Sequence, residues 1–318
     1  MFKAITATVL AGLFALVPAF AQDYPARPIK LVVPYAPGGA TDAIGRALAV
    51  ELSKGLGQQV VVENRPGASG AIGMQAVAAA PPDGHTLMLM VSTITQMPST
   101  NKSLKLDIAR DFKPITIPFS LPIVIFSHPT QPYSTLSEMV AYIQKNRKVS
   151  YATSGPGSPG HIAFAVLNEH LKADMVHIPY KGGAESTAAT ASGDVPIAVA
   201  APQPGIGWAR EGRIRMLGVV SAKRSSLLPE IPSLGEVGAA TIDMRSWLGL
   251  FAPGGTPSEI VARLHKEVTV AVKSEALISK ARATSTEMET PNTPAEFAAL
   301  IDRELKMWPE VFSKVKLD

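Results

Sequence analysis

The 318-residue sequence predicts a two-domain α/β protein, each domain a mostly parallel sheet flanked by helices. Three observations predict it. Short β-rich apolar runs alternate with helix-period segments, the pattern of parallel strands joined by crossover helices. The alternation falls into two units, and two apolar stretches, 115–127 and 244–251, are placed to carry the chain across and back. A glycine-rich loop also recurs between a strand and a helix start.

Taken in order, residues 29–33 (IKLVV) read as the first strand. A helix follows over 42–54. Ile44, Leu48 and Leu52 recur on one of its faces, Thr41 is the expected capping hydroxyl, and Gly55 and Gly57 are the expected stop. Strands at 60–63 and 86–91 flank a helix at 72–80 that Pro81 and Pro82 halt. The second unit, about 123–220, has helices at 135–145 and 161–171, the first opened by a capping box of Thr135 and Glu138. Its strands are expected at 149–152, 175–178, 197–200 and 214–219. A strand at 247–251 returns the chain to the first unit. Helices follow at 257–272, with Thr256 as cap, and at 294–315, capped by Thr293. The domains are therefore placed at 22–122 with 248–318, and at 123–247. No long flexible linker joins them, so the crossings read as a hinge, not a tether.

Residues 1–21 read as a secretory signal. Lys3 precedes an apolar run over 4–17, Pro18 breaks it, and Ala19-Phe20-Ala21 supplies a cleavage site after Ala21. The run is shorter than the ~20 residues of a membrane span, and no cysteine follows to carry a lipid. A soluble periplasmic monomer is expected. With no cysteine at all, its stability rests on a core drawn from 46% hydrophobic residues. The net charge of +4 is dispersed and aromatics are only 6%, which excludes a nucleic-acid surface.

The glycine-rich loop occurs five times: PYAPGGATD (34–42), NRPGASG (64–70), TSGPGSPGH (153–161), PYKGGAES (179–186) and APGGTPSE (252–259). Glycine lets the backbone approach a ligand closely. The helix start behind it presents unpaired N–H groups carrying partial positive charge. Such loops bind anions without a charged side chain, and in α/β sheets they sit at the carboxyl ends of strands, where ligands bind. No copy carries the Gly-Lys-Ser/Thr of a nucleotide loop, and prolines break the dinucleotide spacing at 155–160. A nucleophile elbow at Ser158 lacks its first glycine. The six histidines form no His-x-x-x-His pair. No cofactor, metal or catalytic residue is therefore expected. Asp42 is read as charging the first turn of its helix, with ligand contact open. His161 is left to cap, pack or line the cleft, and Arg65 and Lys181 to pair with a carboxylate or face solvent. Trp208 and Trp247 read as packing residues.

Several of these segments together resemble a known family. YPARPIKLVVPYAPGGATDAIGRALAVELSKGLGQQVVVENRPGASGAIG, YATSGPGSPGHIA, HIPYKGGAES, LLPEIPSLGEVG and WLGLFAPGGTPSEIVARL are similar to the Bug-type solute receptors of tripartite tricarboxylate transporters, over about residues 24–316. The resemblance implies a periplasmic-binding-protein-like fold that closes on a small organic acid and hands it to membrane transporter subunits, without catalysis. It implies a first-domain carboxylate loop of Tyr35, Pro37, Gly38, Gly39, Ala40, Thr41 and Asp42, beside Gly67, Ala68 and Ser69, with Ser92 and Thr93 nearby. It implies a second-domain loop of Ser154, Gly155, Gly157, Ser158 and His161, with Tyr180, Lys181 and Gly182 alongside. The stretch 92–99 (STITQMPS) lacks the His and Asn-Pro common there, and the wall after Ile197 reads AVAAPQPG; these positions are where ligand identity would be set. Two other readings stay open, a secreted sensor engaging a signalling partner and a periplasmic ester or amide hydrolase.

Overall fold

The computed structural model describes residues 24–101, 103–239 and 246–314; the signal segment expected at 1–21 lies outside them. The first sheet takes β1 (Ile29–Val33), β2 (Val60–Asn64), β3 (Thr86–Val91) and β4 (Phe112–Leu121). The second takes β5 (Val124–Ser127), β6 (Ser150–Thr153), β7 (Val176–Pro179), β8 (Ile197–Ala200) and β9 (Arg215–Val219). The chain then returns to the first with β10 (Ser246–Pro253) and β11 (Glu287–Met288). Strand order is β11-β4-β10-β3-β1-β2 in one and β7-β6-β8-β5-β9 in the other. Around them lie α1 (Ala40–Leu56), α2 (Ala71–Ala78), α3 (Thr93–Thr100), α4 (Ile108–Asp111), α5 (Leu136–Asn146), α6 (Pro159–Leu171), α7 (Gly183–Ser192), α8 (Gln203–Arg210), α9 (Ser258–Ala271), α10 (Glu275–Ala283) and α11 (Pro294–Lys314).

Both sheets are mixed in a particular way. β1 pairs parallel with β2 and β3, while β10 runs antiparallel between β3 and β4. Likewise β6 pairs parallel with β7 and β8, while β5 runs antiparallel between β8 and β9. Four strands in each sheet thus share a direction, and the strand that enters after a crossing opposes them. Only Pro122 and Ile123 separate β4 from β5. Of the return stretch expected at 244–251, residues 244 and 245 lie outside the described residues and the rest belongs to β10. Register then fixes the geometry. Ser246 stands opposite Leu121 at the end of β4, and Val124 stands opposite both Ala200 and Val219 at the ends of β8 and β9. The carboxyl ends of β1–β4 and of β6–β9 therefore lie on the edges that face the crossings, and so face each other.

Ile44, Leu48 and Leu52 of α1 are fully buried on Leu31 and Val33 together with Leu264 and Val268 of α9, as their spacing predicts. Each such side chain contributes roughly 1.5–3 kcal/mol. The opposite face of this sheet packs Met88, Met90, Ile94, Met97, Phe251 and Phe297. The second sheet buries Phe164 and Ile143 on one face and Phe126 with Ala198 on the other. α11 belongs to both: Phe297 and Ile301 pack on the first sheet, whereas Trp308 enters the second sheet's core, just before Pro309 inside the helix.

Several local expectations are corrected. The cap of α1 is Gly39, in extended conformation, and Thr41 lies buried inside the first turn; the helix passes through Gly55 to end at Gly57, whose φ is 69°. Thr256 donates to the Pro253 carbonyl, and Pro257 takes the N-cap position of α9. α6 starts at Pro159, with Ser158 as cap. Trp247 stands in β10, opposite Ser120, within the first sheet. The expected capping box at Thr135 and Glu138 is present. α3, α4, α8, α10 and β11 were not anticipated.

At Gly160 helix and sheet touch directly: a Cβ there would lie 2.4 Å from the Val199 carbonyl oxygen of β8. Gly160→Ala should lift α6 from the sheet at a cost of about 1–3 kcal/mol. Urea unfolding should show this as a lowered midpoint with an unchanged slope; a midpoint equal to wild type would contradict the packing argument.

Candidate ligand site

A cavity of about 350 Å³ lies between the two sheets' carboxyl edges, lined by Ala68, Ser69, Thr93, Gln96, Met97, Thr100, Asn101, Gly157 and Ile162. The first seven come from the first sheet's loops and helices, the last two from α6 and the loop before it. None carries a charge. Sequence reasoning names Ala68, Ser69, Thr93 and Gly157 among them. It misses Gln96, Met97, Thr100 and Asn101 because no helix is expected at α3, and it misses Ile162, an apolar residue of the expected helix α6.

Two features give the cavity anion-binding character. The first is the turn before α2. Gly67, Ala68, Ser69 and Gly70 all have positive φ, 125°, 47°, 56° and 103°. Ala68 and Ser69 have side chains, so this left-handed backbone is strained there. Successive turn amides of this kind form a concave anion nest. The second is the set of helix starts. α2, α3 and α6 have no acidic residue in their first turns, and the segments opening them line the cavity. Each start favours an anion by ~0.3–1 kcal/mol.

The other two cleft helices are already neutralised by their own side chains. Gly38 donates its N–H to Asp42 Oδ2 at 2.9 Å, and Lys181 donates its N–H to Glu185 Oε2 at 3.2 Å. Asp42 also receives Arg46 Nε at 3.1 Å and Asn64 Nδ2 at 2.8 Å. Burial raises its pKa, but these hydrogen bonds outweigh it and leave the carboxylate below its usual range. Asp42 thus braces its loop from within. Pro37, Gly38, Gly39 and Ala40 are exposed on that loop, outside the cavity lining, as are Ser154 and Lys181. Gly182 caps α7, and Tyr180 is half-buried with its N–H on the Thr153 carbonyl. Tyr35 stands behind Thr93. Its hydroxyl lies 3.2 Å from Met90 Sδ, and burial pushes its pKa up to about 12 against hydrogen bonds from Thr93 and Val91. Ser92 is buried and donates its N–H to the Trp247 carbonyl.

The fifth glycine-rich loop does not reach the cleft. It follows β10, which runs against its neighbours, so Pro253 stands opposite Phe112 at the amino end of β4. There Gly254 donates to the Asp111 carbonyl. Arg65 pairs with Glu63, Trp208 stacks under Arg213, and Trp247 donates to Glu304 at 3.0 Å. Glu304 also binds Thr95 at 2.7 Å, anchoring α3 beneath the cavity; burial raises its carboxyl pKa.

His161 is turned inward, 1% exposed. Its Nδ1 accepts the Gly157 N–H at 3.0 Å, which places the ring proton on Nε2. The ring stacks on His177 at 3.8 Å, and His177 Nε2 meets Thr153 Oγ1 at 2.7 Å. Thr153 in turn accepts the N–H of Gly155. His161 therefore shapes the loop carrying Gly155 and Gly157, and Ser158 caps the helix by accepting the His161 N–H. Among the described residues no cluster of three or more histidine or acidic side chains is placed to hold a metal.

Burial, and then the facing His177, lower the His161 pKa to about 4. Its unfolded value is about 6.5, so the unfolded chain binds the extra proton first. The stability it contributes is complete above pH 6.5 and is lost as pH falls toward 4. Melting temperatures across that window should fall more steeply for wild type than for His161→Asn, which keeps an acceptor but cannot titrate. Asp42, held below its usual range, titrates beneath the window. Parallel curves would refute the assignment.

The sequence matches the tripartite tricarboxylate transporter family receptor family, TctC, over residues 44–317. BugT of Bordetella pertussis is 31% identical over 303 residues, covering 92% of this chain and 91% of its own. A TctC solute-binding protein from Polaromonas superposes with a TM-score of 0.83 at 28% identity, over 92% of this chain and 100% of that one. MatC of Rhodopseudomonas palustris, solved with bound malate, gives 0.72 at 29% identity, over 91% and 99%. Family match, relatives and a shared two-domain fold agree: this chain belongs to the TctC family as a Bug-type solute-binding receptor.

Proposed function

We propose that the protein is a periplasmic receptor that captures a small organic carboxylate in the cavity between its two lobes and delivers it to a tripartite tricarboxylate-type transporter. The observation that carries this reading is the cavity wall: uncharged, rich in hydroxyl and amide groups, and ringed by three helix starts free of acidic residues. Backbone N–H groups of the strained turn at Ala68 and Ser69, with the Ser69 and Thr93 hydroxyls, hold the carboxylate. The malate bound to MatC is a small acid of this class.

The lining comes from both lobes, so neither alone makes the site. A ligand bridging them favours the closed arrangement through contacts that only that arrangement offers. A binder of this kind needs no nucleophile and base, and His161, the residue nearest to a catalytic role, commits its Nδ1 to the Gly157 amide. Tight ground-state capture without preferential transition-state binding accelerates nothing.

Ser69→Ala and Thr93→Val should each weaken carboxylate binding by about 1–3 kcal/mol, while Lys181→Ala leaves it nearly unchanged. Calorimetry on the three variants checks this, with mass spectrometry confirming that the ligand is recovered intact. Loss of binding in Lys181→Ala alone, or product formation abolished by His161→Ala, would overturn the reading.

A further inference from the structure

Gln96 lies in the second turn of α3, is only 6% exposed, and lines the cavity. Its backbone carbonyl accepts the Thr100 hydroxyl, yet its side-chain amide makes no hydrogen bond with any described residue. Several polar side chains around it are engaged: Thr95 binds the Ser92 carbonyl and Glu304, and the Asn101 side-chain oxygen Oδ1 accepts from Ser103 twice. Nearly all buried polar groups in folded proteins have a partner. The Gln96 amide is not sealed from solvent, but it has no protein partner and lines the cavity, so a ligand that displaces that solvent has to supply one.

We propose that Gln96 is a specificity-determining residue of the site and that it selects a carboxylate bearing a hydroxyl group. The proposal rests on the carboxylate reading above and adds the ligand's second functional group. The carboxamide presents a donor and an acceptor at one point. A hydroxyl complements both, accepting from Nε2 and donating to Oε1. A second carboxylate accepts only: it would leave Oε1 facing a negative charge in a wall without a cation. An unsubstituted carbon chain would leave both amide groups unpaired on closure. Sites built to hydrogen-bond a hydroxyl reject the analogue lacking it much more strongly than apolar pockets reject an extra methylene. The apolar lining residues Met97 and Ile162 would cover the carbon skeleton between the two polar ends.

The test uses matched pairs that differ by one hydroxyl: lactate with propionate, 3-hydroxybutyrate with butyrate, and malate with succinate. Each is titrated calorimetrically into wild type, Gln96→Leu and Gln96→Met. In wild type the hydroxylated member of a bound pair should be at least about 10-fold tighter. Both variants should erase that advantage by weakening the hydroxy acid while leaving its deoxy partner unchanged or tighter. Their ligand-free melting temperatures should equal or exceed wild type, because the Gln96 amide makes no hydrogen bond within the protein that the substitution could break. Equal affinities in wild type, a preference surviving in both variants, or lower ligand-free melting temperatures in both would overturn the assignment while sparing the carboxylate reading. Failure of every acid to bind wild type would overturn both.

Discussion

A strand that crosses into a new sheet here enters it running against its neighbours, and the placement of the site depends on that reversal. β5 and β10 each begin where the surrounding strands end. Had either entered parallel, the crossing would have had to travel the length of the sheet, and one set of loops would have faced outward. With both reversed, the two residues between β4 and β5 suffice to bring the carboxyl edges together. The loops after β1, β2, β3, β6 and β7 then share one cleft, and the loop after β10 is sent to the far side. A sequence motif alone is blind to this, because direction is a property of pairing.

Within the cleft, electrostatics separates loops that look alike. Gly38, Gly157 and Lys181 each donate an amide to the side chain four residues on, at Asp42, His161 and Glu185. The device is the same, but its charge differs. A carboxylate in the acceptor position cancels the helix start, whereas a neutral imidazole braces the loop and leaves the positive end available. α6 keeps its attraction for an anion because its brace is uncharged, and burial against His177 keeps it so.

Much of the fold was legible because it is written in short-range chemistry. β1, β3 and β8 begin and end where their β-branched and apolar runs do, and the Thr135–Glu138 box opens α5. The cavity lining was legible where backbone freedom mattered, at Ala68, Ser69 and Gly157, whose loops announce themselves by glycine. It was obscured at α3. Thr93, Ile94, Thr95 and Pro98 weaken the helical signal, and Ile94 and Met97 alone mark its buried face. What holds α3 is tertiary: Glu304, more than two hundred residues away in sequence, binds Thr95 and Trp247 beneath it. Gln96 could not be singled out without that helix.

α11 gives the two lobes a third tie besides the peptide crossings. One end is seated by Phe297 and Ile301 in the first lobe, the other by Trp308 in the second, and the Trp308 indole donates to Thr95 at 3.2 Å. Two crossings on one edge allow the lobes to swing and also to twist. A rod gripped at both ends resists the twist and leaves the swing. Pro309 removes one hydrogen bond from the rod close to its second grip, so bending is cheapest there. The cleft thereby gains the mechanics of a door on a pivot, with torsional stiffness supplied by a helix that lines no part of the cavity.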